Sequence, residues 1–285
     1  MDRHNKWKKI KASRGRLLLI GLLAAALGLA GCGFRRGSSF PGVVRIPWPD
    51  QETTIMEVFH NDQPVGTSRL TVQKDGDEWL LTVANEAQAA REVSTIRAHG
   101  ENLIPSFTQL RSEAEGDSLL LEGRYEARQV SVSVDGNETG SFIIQLPDPP
   151  YFDNEQVPFV LRAMPLAEGW QGGLNLVVIR NGTHAVVGAW VVDREAVETP
   201  LGTMDAWKVE LRGLAQFAWI EVDPPHRLVK YVNEGANTIT LITDYRTEAA
   251  GEAEQGNDDD SSGPAVPEGA GNGQGDGAAP REAAS

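Results

Sequence analysis

The sequence predicts a mainly β protein: an antiparallel curved sheet or barrel-like roll of roughly ten to twelve strands, with one short helix. Three observations carry this reading. Apolar residues recur at every second position in most segments between residues 50 and 246, the period of a strand with one buried face. Asp-Gly and Asn-Gly pairs stand between those segments, and such pairs tolerate the positive φ of tight hairpins. One stretch only, Asp153 to Leu166, changes to helical spacing.

The strands declare themselves in chain order. Trp79, Leu81 and Val83 share a face, as do Val130, Val132 and Val134, then Phe142, Ile144 and Leu146, then Ile239 and Leu241. Asp75-Gly76 separates Leu70–Lys74 from Glu78–Ala84, and Asp135-Gly136-Asn137 separates Val130–Val134 from Ser141–Leu146. Asn181-Gly182 divides Leu174–Arg180 from His184–Val192, and Asp223-Pro224-Pro225 turns Phe217–Val222 into Leu228–Val232. In the helical stretch, Val157, Val160, Leu161 and Met164 fall on one face, with Asp153 and Gln156 spaced as a capping box. Pro158 is tolerated only in a first turn, which moves the expected start to about Val157. Leu174–Ile179 and Val186–Val192 are apolar on both faces, as strands covered from two sides would be.

The ends of the chain read differently. Seven basic residues between Arg3 and Arg16, against the single acid Asp2, precede an uncharged apolar run from Leu17 to Ala30. A basic start, a short apolar stretch and small residues at a cleavage point describe a secretory signal peptide, residues 1–31. As a helix the run would rise only about 21 Å, short of the roughly 30 Å hydrocarbon core. Leu29-Ala30-Gly31-Cys32 resembles the lipobox of bacterial lipoproteins. That resemblance implies a diacylglyceryl group on the Cys32 thiol and cleavage just before it. Residues 32–49 then form a linker, 50–246 a single β-rich domain, and 247–285 a tail. The tail has no aromatic residue and carries nine acids against Arg281 alone, so it is expected to be disordered.

Charge and composition exclude several functions. Of 26 basic and 40 acidic residues, 19 and 39 follow the cleavage point, a net charge near −20. This is the wrong sign for nucleic acid or for charge-driven adsorption to anionic lipid. Cys32 is the sole cysteine, so neither an internal disulfide nor a multi-cysteine metal site can form. His60, His99, His184 and His226 lie too far apart for a helical zinc pair, and no serine-hydrolase elbow, phosphate loop or dinucleotide fingerprint occurs. Asp135 to Gly140 begins like a calcium loop, but Leu146 stands where a carboxylate ligand is needed. Glu195/Glu198, Glu210 and Glu221/Asp223 are the carboxylates to consider for glycoside hydrolysis, and their positions suit exposed strand faces and turns. No catalytic residue, cofactor or metal is expected. Trp79, Trp190, Trp207 and Trp219 lie in apolar strands and are expected in the core.

A resemblance adds to this. Phe159 to Leu166 is followed by Gly169, by Glu195 to Thr203, by Ala206-Trp207-Lys208-Val209-Glu210 and by Trp219 with Asp223 to Val229. That order, with Val65-Gly66-Thr67 after a first strand, resembles the domain of unknown function 3108 family of exported bacterial proteins, over roughly Thr53 to Tyr245. The resemblance implies a rolled antiparallel β-domain in the cell envelope and no assigned activity. A looser similarity, of architecture only, is to lipoprotein-localisation carriers, whose curved sheet and helices enclose an apolar cavity.

Two non-catalytic readings follow. In one, the curved sheet binds a lipid or other apolar molecule beside Arg162 and Met164, behind a Gly169–Gly173 loop carrying Trp170. In the other, the interior is filled and the domain is a structural or protein-interaction module, with Arg162 held in an ion pair. Both place the protein outside the cytoplasm, attached to a membrane through Cys32. Gly33, where an aspartate would resemble an inner-membrane retention signal, points to the outer membrane if the cell has one.

Overall fold

A computed structural model describes residues 42–247, save 44 and 138. The expected signal peptide, Cys32 and the tail beyond Thr247 lie outside the described residues. Among those residues, β1 (Gln51–His60), β2 (Gln63–Asp75), β3 (Glu78–Ala87) and β4 (Ala90–His99) succeed one another as hairpins. So do β5 (Pro105–Ala114), β6 (Asp117–Tyr125), β7 (Gln129–Gly136) and β8 (Gly140–Gln145). A two-residue β9 (Phe152–Asp153) leads through a 3-10 turn, Asn154–Gln156, into the helix α1 (Val157–Arg162). Then come β10 (Gln171–Val178), β11 (Thr183–Thr199), β12 (Gly202–Arg212), β13 (Gln216–Glu221), β14 (Leu228–Asn233) and β15 (Thr238–Thr247).

All fifteen strands join one unclosed sheet in the order β8 down to β1, then β15 down to β9. The mainly β class, the curved sheet and the single short helix are as expected. The strand number is higher than ten to twelve because β4, β5 and β6 carry weak turn signals. Their hairpins turn at Gln88-Ala89 and at Glu115-Gly116, where Glu115 itself takes φ 48°. Neighbours are antiparallel except for β9 and β10, and β1 pairs with β15, so the two ends of the domain close on each other mid-sheet.

The helix begins at Val157, and Asp153 and Gln156 form the expected capping box around the turn before it. Every residue of α1 is buried. A helix that is apolar nearly all round belongs inside a protein, and α1 sits on the concave side of the sheet. Val157, Phe159, Val160 and Leu161 are each 0% exposed and pack with Met56, Leu81, Ile96, Leu174, Ala218 and Ile220. Trp48, from the segment read as linker, is part of this core and meets Trp79 and Phe159 edge-on at 6.0 and 6.2 Å. Each such large apolar side chain contributes about 1.5–3 kcal/mol on burial.

A second core lies between β5–β8 and the far side of β10, where Leu110, Leu121, Val130, Val132 and Ile144 meet Val177 and Ile179. β10 is therefore covered on both faces, as its two-sided apolar pattern predicts. β11 is not: Val187, Ala189 and Val191 are buried, but Val186 and Val192 are 49% and 45% exposed. Gly123 of β6 lets the turn after β10 approach closely, since a Cβ there would stand 3.2 Å from Val130 and 3.3 Å from Ile179.

Candidate functional site

The concavity is the place to look for a site, and α1 occupies it. Met164 follows the helix into the core and is 5% exposed. Trp170 is half-buried against the same core, its N–H donating to Ala167 O at 3.0 Å and its O accepting from the Val191 N–H at 2.9 Å. Of the glycine-rich segment expected as a movable cover, only Gly169 turns, at φ 69°. Gly172 and Gly173 are buried residues of β10, paired with Ala189 and Gly188.

Arg162 brings distant segments together at the end of α1. Its Nη1 pairs with Glu52 of β1, both side chains being 1% exposed. Its Nε donates to His226 O at 2.9 Å and its Nη2 to Pro225 O at 3.1 Å. The guanidinium also lies 5.0 Å from the Trp48 ring. The other Glu52 oxygen accepts from the Tyr245 hydroxyl at 2.9 Å. Burial, and then the Glu52 carboxylate, push the Tyr245 hydroxyl up, so it keeps its proton. The arginine is wholly committed to protein partners, as the ion-pair reading of the sequence anticipates.

A second polar cluster lies where the two cores meet, and its burial is not legible in the residue pattern. Asp153 accepts from the Glu155 N–H at 2.9 Å and from the Tyr125 hydroxyl at 2.6 Å. Gln156 accepts from the Asp153 N–H at 3.0 Å and donates to Leu103 O at 2.7 Å. Arg180, from the turn after β10, pairs with Glu92 of β4. Glu155 is 7% exposed beside them. Burial, then the charges of Glu92 and Asp153, push its carboxyl up to about 8, with Arg180 opposing. Burial raises Asp153 and Glu92 as well. Glu92 and Glu155 thus share one guanidinium with Asp153 close by, and Glu155 holds a proton at neutral pH. In the sequence, Asp153 to Gln156 read only as a helix cap, because Glu92 and Arg180 are 88 residues apart.

The remaining candidates are dispersed. His60 Nδ1 lies 3.1 Å from Ala236 O, and His226 Nδ1 lies 3.1 Å from Glu221 O. Glu195 accepts from Trp219 Nε1 at 2.6 Å, Glu221 pairs with Arg227 at 2.5 Å, and Glu210 with Arg212 at 2.9 Å. Trp79 and Trp219 are core residues, while Trp190 and Trp207 are half-buried. Among the described residues, no group of three or more His, Cys, Asp or Glu side chains is placed to hold a metal ion. No helix among them is long and apolar enough to cross a membrane. An open surface depression of about 620 Å³ lies away from α1, between the β3–β4 and β5–β6 turns. Glu86, Glu113, Glu115 and Asp117 line it, and its one cation, Arg91, pairs with Glu86 at 3.1 Å.

The model of a family described as "Protein of unknown function (DUF3108)" matches residues 56–244. No curated protein sequence matches the chain. Among solved structures, a β-barrel-like protein of domain of unknown function DUF1849 from Brucella abortus aligns with a TM-score of 0.44 and 8% identity. That alignment covers 68% of this chain and 96% of the other.

Proposed function

This chain belongs to the DUF3108 family of proteins of unknown function, and from that premise we propose that it is a non-catalytic interaction module of the cell envelope, attached to a membrane by a lipid on Cys32. The observation that carries the reading is the occupied concavity. Phe159, Val160 and Leu161, all 0% exposed, take the volume that an apolar ligand would need. Binding sites for apolar molecules are open clefts of roughly 300–1,000 Å³ lined by apolar side chains. Here the residues expected to line one, Arg162 and Met164, are engaged with Glu52 and with the core. The fixed β10 segment replaces the expected cover. What such a domain offers to others is its surface and its sheet edges.

The test is titration of the purified protein with fluorescent fatty acids, together with mass spectrometry of co-purifying lipids. The expected result is no saturable binding at micromolar concentrations and no stoichiometric lipid. Saturable binding that weakens in Trp170→Ala would replace this reading with that of a carrier.

A further inference from the structure

The two edges of the sheet are built differently. One edge is β9, two residues long and preceded by Pro149-Pro150. Short strands and prolines are the usual means of keeping a sheet edge from pairing with another chain. The other edge is β8, Gly-Ser-Phe-Ile-Ile-Gln, with no proline and no charge. No register shift interrupts its pairing with β7, so no bulge twists it away. In a chain of net charge −14, an uncharged, bulge-free edge of six residues is an opening for strand addition.

The register says which groups are free. The Leu146 N–H donates to Arg128 O at 2.9 Å, and antiparallel ladders bond at alternate residues. β8 therefore turns the N–H and C=O of Ile144, Phe142 and Gly140 toward β7, and those of Ser141, Ile143 and Gln145 away from the sheet. The side chains sort in the same way. Phe142 and Ile144 face the second core, and Ile143 stands 58% exposed, the most exposed large apolar residue described.

We propose that β8 is a self-association edge, on which two copies of this chain pair antiparallel about a two-fold axis at Ile143. This names the partner of the interaction module proposed above and rests on that reading. The edge is complementary to itself. In this register Ile143 meets Ile143 of the second copy, and Ser141 meets its Gln145, with no carboxylate brought against another within the strand. About six further N–H···O bonds form, using every free backbone group of the three residues. A closed two-fold contact of this kind uses up both β8 edges and leaves only the two short β9 edges outside. The strip is smaller than the roughly 1,000 Å² of a stable interface, so the pairing is weak in dilute solution. Confinement on a membrane raises the effective concentration and favours it.

The oxidation test uses the full chain with Ile143→Cys and Cys32 kept, because its lipid holds the chain on the membrane and leaves no free thiol there. Opposed residues of a bonded antiparallel pair are about 5.5 Å apart at Cα, within disulfide reach. Mild oxidation of cell membranes should give a band at twice the monomer mass. Val186→Cys, also exposed but on β11, should give none. In sedimentation, the average mass of the Cys32→Ser chain should rise with concentration, and Ile143→Lys should abolish the rise without changing the melting temperature. A monomer at every concentration, a dimer band of equal strength from Val186→Cys, or a disulfide from Ile143→Cys to a different protein would each overturn the proposal. Those failures leave the interaction-module reading standing if fatty-acid titration stays negative. Saturable lipid binding would sink that reading whatever the mass.

Discussion

Arg162 and Glu52 form an ion pair in which both side chains are 1% exposed, joining the end of α1 to the first strand of the sheet. Two charges taken so far out of water are tolerated because their remaining hydrogen-bonding capacity is used. Pro225 and His226 carbonyls complete the arginine, and the Tyr245 hydroxyl completes the carboxylate.

Breaking that pair from one side should therefore be costly. Arg162→Met alone leaves Glu52 buried without its cation and is expected to cost about 3–5 kcal/mol in urea unfolding. Arg162→Met combined with Glu52→Leu should recover much of that loss, because apolar pairs of similar volume often replace buried ion pairs at little cost. Equal losses in the single and double variants would show that the carbonyl contacts, not the pair, carry the stability.

The Asp153, Glu155 and Glu92 cluster makes stability depend on pH. Glu155 moves from an ordinary 4.5 to about 8 in the folded protein, so the folded state binds a proton that the unfolded state has released between those values. Stability contributed by that proton is fully present below pH 4.5 and is lost as pH rises toward 8. Burial raises Asp153 and Glu92 in the same direction. The wild-type melting temperature is expected to fall as pH rises from 4.5 toward about 8, and Glu155→Gln should flatten part of that fall. A Gln variant with the wild-type slope would place the pH dependence elsewhere.

Deleting residues 248–285 should leave the melting temperature unchanged within about one degree, since that segment has almost nothing apolar to bury. Thr247 must be kept, because it pairs with Glu52 in the β1–β15 ladder. A loss of several degrees would show that the tail packs on the domain.

Membrane attachment is expected to depend on one atom, the Cys32 sulfur. Intact mass of the membrane-extracted protein should show loss of residues 1–31 and added acyl mass on Cys32, and Cys32→Ser should accumulate as an unlipidated precursor. Mature wild-type protein with a free thiol would end the anchor proposal.

The sequence by itself determined the fold class and most hairpins, because period-two burial and Asp-Gly or Asn-Gly turns are local properties. Leu70–Asp75 meets Glu78 across Gly76, and no distant residue is needed to say so. It also determined the start of α1, through Pro158 and the Asp153–Gln156 box. Arg162 announced that it needed a carboxylate, though not which one: Glu52 is 110 residues away. Only the tertiary structure decided that the helix fills the concavity, since an apolar helix that lines a cavity and one that plugs it share the same pattern. It alone decided that Asp153, Glu155 and Glu92 are buried together, because acids in a turn and on a strand read as solvated until the sheet curls β4 toward β9. And it alone decided which strands are edges. β8 and β7 have similar alternation in sequence, but β8 lacks a neighbour only because the sheet's order ends there.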